Sequence, residues 1–313
     1  MILGIRQPDK KERNKMLPDT AINSRNIRAI LFIVVAIFFM STMDAVAKLL
    51  VEADYSVLQI LAIRGLVLMP ALCFWLFTHG GLGSIRTRQY KGHALRIVLG
   101  VLAPLLFFLS LKKLPLADAT VIFFVSPFVM TALSVPLFKE KVGIHRWSAI
   151  VVGFMGVLFV MQPTSGLLEI EAFMVLGGSL CYCGIMLTGR VLSRTETTFT
   201  IIFYSNVGLM LITGAMALFT WEPMPLQDIG LVVLMALLSL AGNICLIKSF
   251  ASGEVGVIAP FEYTGLLWAV LLGFFVFGDF PAVNVWIGVV IIAGSGLYMI
   301  YRENLKHGTD RQG

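Results

Sequence analysis

Charge is scarce in this chain. Of its 313 residues only 13% are Asp, Glu, Lys or Arg, while 58% are hydrophobic; soluble proteins average about 25% charged residues. So little polar surface excludes a typical water-soluble enzyme, and it excludes a disordered chain, whose composition runs the opposite way. Cysteine is equally thin. Cys73, Cys181, Cys183 and Cys245 all lie in apolar stretches, and no histidine stands near the one close pair, Cys181-x-Cys183. That excludes a disulfide-stapled secreted module and offers no metal-ligand spacing, so the thiols read as apolar helix filler and no metal site is expected. His79, His93, His145 and His307 are scattered, and the HExxH, GxSxG and Walker-type signatures are missing. Without converging catalytic groups or a phosphate loop, the expectation is a non-enzyme that carries no cofactor.

What the chain has in quantity is long apolar runs. A hydrocarbon core about 30 Å thick takes roughly 20 apolar residues in a helix. Ten candidate spans meet that test, at 29–50, 57–78, 94–112, 116–138, 145–161, 170–192, 198–219, 228–250, 254–277 and 282–301. The fifth is short, and the fourth and ninth carry Pro127 and Pro260 internally. The runs are too long and too evenly apolar for barrel strands, which alternate. The expected fold class is therefore all-α, a polytopic membrane protein with no separate soluble domain.

The net charge of +6 is a matter of placement rather than of nucleic-acid binding. Residues 1–28 hold Arg6, Lys10, Lys11, Arg13, Lys15, Arg25 and Arg28, which reads as a basic tail on the inner leaflet and not as a cleavable signal peptide. With the N-terminus in the cytoplasm, 20 of the 24 Lys and Arg fall in inward segments and 2, Lys112 and Lys113, in outward loops; Lys48 and Arg64 lie inside spans. That bias is the positive-inside pattern, and an even span count puts both termini in the cytoplasm.

The halves resemble each other at a shift of 139 residues: Ser110 falls on Ser249, Phe138 on Phe277, Glu140 on Asp279 and Trp147 on Trp286. Two five-helix units are expected, 29–161 and 170–301, flanked by the tails 1–28 and 302–313. Five is odd, so the second unit enters from the other side. The loop after the fourth span carries Lys139, Lys141 and Arg146, whereas the equivalent loop after the ninth has no Lys or Arg. Inverted repeats of this kind are a mark of secondary transporters, which expose a midplane site to each side in turn.

Ionisable groups inside spans cost about 2.5–3.5 kcal/mol each on insertion scales, so each needs a reason. Asp44 and Lys48 stand at i, i+4 and share a face; Arg64 lies seven residues into the second span, and Glu262 follows Pro260 in the ninth. For each a blander reading stands beside the functional one. Lys48 is near enough to its span end to snorkel. Asp44 and Arg64 suit a static brace between helices. Glu262 suits a substrate, a proton, or a structural partner such as Lys248 or Arg190. Glu140 and Asp279, at helix ends, read as caps or hinges, as do Pro127 and Pro260 within their spans. Aromatic side chains that could line a cavity include Phe107, Phe108, Phe123, Phe124, Tyr204, Tyr263 and Trp268, and such walls suit a flat ring or a cation. Gly153 and Gly156, with Gly294 and Gly296, read as close-packing positions, or as a face for a homodimer.

The stretches FFMSTMDAVAKLL (38–50), LQILAIRG (58–65), LPLADAT (114–120), APFEYTGLLWAVLLGFFVFGD (259–279) and SGLYMIYRE (295–303) resemble the EamA family of the drug/metabolite transporter superfamily. The likeness runs over about 29–303 and is strongest to bacterial S-adenosylmethionine uptake and riboflavin transporters. It implies ten helices in two inverted repeats, a cavity lined by the first four helices of each half, and peripheral fifth and tenth helices. It carries Asp44, Lys48 and Arg64 onto the family's D-x-x-x-K and R-G positions, and Glu262 and Tyr263 onto its acidic-aromatic pair. Asp279 stands where the family usually has Glu. The expected function is uptake of a small organic solute across the bacterial inner membrane by alternating access. The alternative is export of amino acids or drugs; a membrane-embedded enzyme or sensor lacks the catalytic groups or output domain it would need.

Overall fold

The computed structural model of the chain describes residues 19–78, 81–138, 144–161, 170–252 and 258–309, and among them only helices and turns occur. Seven helices are long and apolar enough to cross a membrane, and three shorter apolar ones lie at Trp147–Met161, Phe261–Phe277 and Val283–Tyr298. Together they follow the ten expected segments in order.

The first helix, α1 (Asp19–Glu52), starts well before the expected residue 29, so the basic tail is helical from Asp19 onward. Neither Gly nor Pro interrupts the run. Asp54, in the left-handed region at φ 64°, ends it. Its short polar side chain tolerates that conformation, and the Tyr55 N–H then closes on the Leu50 carbonyl at 3.2 Å. Next come α2 (Val57–Thr78) and α3 (Tyr90–Ser110), which run unbroken past Pro70 and Pro104.

The fourth span is two helices, α4 (Leu116–Phe123) and α5 (Ser126–Phe138). Pro127 has no N–H to offer the carbonyl four residues back, and its ring crowds that turn. There the Phe124 N–H is shared between the Thr120 carbonyl and the Val121 carbonyl three residues back, and the Val125 N–H turns to Ile122, also three back. Then follow α6 (Ile144–Met161), α7 (Ile170–Leu192), α8 (Thr198–Ala217, capped by the Thr197 side chain accepting from Thr200 N–H) and α9 (Leu226–Ser252). The ninth span is the least regular. A tight 3-10 turn at Ala259–Tyr263 holds Pro260, α10 (Thr264–Leu272) follows, and a π turn at Gly273–Phe277 ends on Gly278 at φ 72°. The last helix, α11 (Val283–Thr309), continues into the expected C-terminal tail.

Packing joins early helices to late ones: α1 lies along α9, α3 along α7, α2 along α8 and α6 along α11, while α10 packs on α1 and α4. Glycine permits close approaches between helices. A Cβ on Gly178 of α7 would meet the Ala103 carbonyl of α3 at 3.0 Å, and one on Gly153 of α6 would strike the Phe128 ring at 2.4 Å. Gly156 faces Ile291 and Ile292 of α11, whereas Gly294 faces open space. Gln59 of α2, fully buried, donates to the Glu222 carbonyl at 2.8 Å and accepts from the Glu222 N–H at 2.9 Å. Large apolar side chains such as Phe77, Phe219 and Phe275 lie at the surface, as they do on a protein solvated by hydrocarbon.

Candidate functional site

Three groups of the expected site residues are brought together. The first is aromatic, at the irregular parts of the fourth and ninth spans. The Phe124 ring stands 5.4 Å from Tyr263, and Phe107, buried on α3, meets Phe123 edge-on at 5.3 Å. Tyr182 of α7 joins this frame, 5.3 Å from Phe123. Glu262 lies close enough to act electrostatically on the hydroxyls of both Tyr182 and Tyr263. Among the described residues no hydrogen bond or ion pair engages its carboxylate, which is partly accessible. Tyr182 is itself 36% exposed. Lys248, offered above as a partner for Glu262, instead sets its ammonium 5.7 Å from the Phe32 ring centre.

The second group is Asp44 and Arg64. Each is the opposite charge the other feels, yet no ion pair within 4.0 Å joins them. Arg64 Nη2 donates to Ser239 Oγ of α9 at 2.9 Å, and its Nε is buried without a partner. The next residue, Gly65, sits so near Met210 of α8 that a Cβ there would approach at 2.9 Å, and the Gly65 carbonyl accepts from Asn206 at 3.2 Å. The Arg-Gly pair thus anchors α2 to both α8 and α9.

The third group is Lys48, which does not pair with Asp44 despite the shared face. Its Nζ donates to Asp279 Oδ2 at 2.8 Å, lies 3.5 Å from Glu52 Oε1 and stands 4.4 Å from the Phe277 ring centre. A side chain 4% exposed is not snorkelling; a buried ammonium needs these partners. Asp279 is presented by the left-handed Gly278 and by its own N–H on the Gly273 carbonyl at 3.1 Å.

The remaining expected residues stand apart. Trp268 meets Phe38 edge-on at 4.9 Å, with its Nε1 unpartnered. Tyr204 packs on the His93 ring at 4.6 Å. Glu140 lies outside the described residues. Tyr55, in the turn after α1, donates to Asp228 Oδ2 at 2.5 Å, and that bond, with the carboxylate beside it, pushes the hydroxyl's pKa above its usual 10. Tyr182, Ser239 and Glu52 escape the sequence reading: the first two look like ordinary helix residues, and Glu52 looks like a helix-end acid. Only the tertiary arrangement gives Tyr182 and Ser239 their partners, whereas Glu52 meets Lys48 one turn back on its own helix.

The family model described as the EamA-like transporter family matches residues 27–162 and 169–302. A riboflavin transporter of Vibrio cholerae serotype O1 is 28% identical over 255 residues, 80% of this chain and 83% of that protein. An S-adenosylmethionine uptake transporter of Rickettsia prowazekii is 23% identical over 238 residues, 76% and 79% of the two chains. A solved crystal structure shares the fold with a TM-score of 0.59 at 15% identity, over 86% of this chain and 95% of that one.

Proposed function

Since the chain belongs to the EamA-like transporter family, we propose that it is a secondary transporter that carries a small organic metabolite across the bacterial inner membrane by alternating access. The two units, 29–161 and 170–301, work as inverted halves, with both termini in the cytoplasm and a shared site between them. The observation that carries this reading is the helix pairing. With the spans numbered in order, the pairs are 1 with 8, 2 with 7, 3 with 6, 4 with 9 and 5 with 10. Exchanging each span with the one five places on turns the pair 1–8 into 6–3 and returns the other three to themselves. The strongest of the secondary contacts, 1 with 9 and 4 with 6, 2 with 8 and 3 with 7, exchange in the same way. A pattern unchanged by that exchange fits two equivalent halves about a two-fold axis, as does a family model that matches the chain in two stretches. Because each half has an odd number of spans, equivalence requires inversion, and inversion gives two related conformations open to opposite sides.

The bound solute sits by Glu262, among Phe107, Phe123, Phe124, Tyr182 and Tyr263. Aromatic walls take a flat ring, and the unpartnered carboxylate takes a positive charge. Within the relatives' printed activities, S-adenosylmethionine fits both features and riboflavin the first. Uptake of each labelled solute by purified protein in proteoliposomes tests the reading. Accumulation above that of empty liposomes supports it, and failure of folded protein across a broad metabolite panel overturns it.

A further inference from the structure

The clamp around Lys48 has a property that a plain brace does not need. Of the two carboxylates that hold the ammonium, Asp279 belongs to the second half and Glu52 to Lys48's own helix, one turn further on. Their side chains are 37% and 41% exposed, so either is hydrated when released; that of Lys48 is 4% exposed and has no such recourse. A buried ammonium left without a partner is strongly unfavourable. If the end of the ninth span withdraws, as alternating access demands at this end of the bundle, Lys48 needs another anion at once. Glu52 is already 3.5 Å away, within a side-chain adjustment of a full hydrogen bond. The segment bearing Asp279 also departs from regular helix. It leaves α10 through a π turn, a rare form found at functional breaks in helices, and ends on a glycine in the left-handed region. Other contacts at this end, Tyr55 with Asp228 and Gln59 with Glu222, tie the start of α2 to α9 and its approach; they leave the ninth span free.

We propose that Lys48 is a two-position switch of the gate at this end: it binds Asp279 while the ends of the first and ninth spans are together, and passes to Glu52 when they part. The switch rests on the alternating-access reading above. It gives two similar carboxylates opposite effects, Asp279 favouring the closed end and Glu52 the open one.

Spin labels on Ala53→Cys and Ala282→Cys, both exposed positions flanking the clamp, in a background with the four native cysteines replaced, report the separation by double electron–electron resonance in full-length protein in nanodiscs. Asp279→Asn is expected to enlarge the longer-distance population at least twofold, and Glu52→Gln to shrink it at least twofold. In a Lys48→Met background neither substitution shifts the distribution. Shifts of Asp279→Asn and Glu52→Gln in the same direction, or no shift with either, overturn the switch. Solute uptake by the labelled protein separates the two claims: uptake with unmoved distances sinks the switch alone, and opposed shifts without uptake of any metabolite sustain the switch while sinking the transporter reading.

Discussion

Lys48 and Glu262 are both ionisable side chains in spans made for hydrocarbon, and they are treated in opposite ways. Lys48 is buried and held by two carboxylates and a ring, and its first partner lies 231 residues away in sequence. Glu262 is partly accessible, framed by rings, and bonded to nothing among the described residues. A charge that the fold surrounds with its own counter-charges is committed to holding the fold together. A charge left open in an aromatic frame is available to something that arrives from outside. The cost of burying each is comparable, so the difference lies in what offsets it: the protein in one case, the solute or a proton in the other.

The sharpest way to break this contrast is Glu262→Gln. S-adenosylmethionine uptake is expected to fall about tenfold or more, since a lost charge interaction of about 1.4 kcal/mol already gives that factor. Uptake of riboflavin, which brings no cation to the carboxylate, changes little. Equal loss for both solutes in proteoliposomes would show that Glu262 does not read charge. The paired measurement is thermal stability. Asp279→Ala leaves the Lys48 ammonium with Glu52 alone, and the purified protein is expected to lose on the order of 2–3 kcal/mol, somewhat below the cost of stripping a buried charge of every partner. Glu262→Gln should instead hold or raise the melting temperature, because it removes an uncompensated charge. A drop with Glu262→Gln as large as with Asp279→Ala would place both carboxylates in the structural class. Arg64 lies between the two extremes, with one bond to Ser239 and a bare Nε. Ser239→Ala is expected to cost about 1 kcal/mol and to leave solute affinity within about twofold; equilibrium binding and melting curves check both. A comparably small effect, on binding instead of stability, is expected from Tyr182→Phe. The ring wall survives, so binding weakens less than fivefold, a figure of about 1 kcal/mol for one hydroxyl.

The contrast also marks what was legible before the fold was known. Depth was legible: apolar run lengths located the spans, and α7 runs from Ile170 to Leu192 as expected. Interruptions were legible only as Pro127 and Pro260. The break at Phe124–Val125 and the π turn at Gly273–Phe277 follow from local hydrogen bonding that composition does not encode. Partners were the least legible. The i, i+4 spacing of Asp44 and Lys48 suggested a pair, but helix neighbours compete with every charge that another helix brings, and Asp279 reaches Lys48 first. Tyr182 lay in a run read as filler, since nothing in Cys181-Tyr182-Cys183 distinguishes a ring facing Glu262 from one facing lipid.

The reciprocal bonds between Gln59 and residue 222 carry a last consequence. The amide of Gln59 grips the main chain of Glu222, not its carboxylate, so the grip is blind to the identity of that residue. For these two bonds position 222 can take any type that keeps an N–H, proline alone being barred, while Gln59 has no close replacement: Asn is one methylene too short, and an ionised Glu offers no donor.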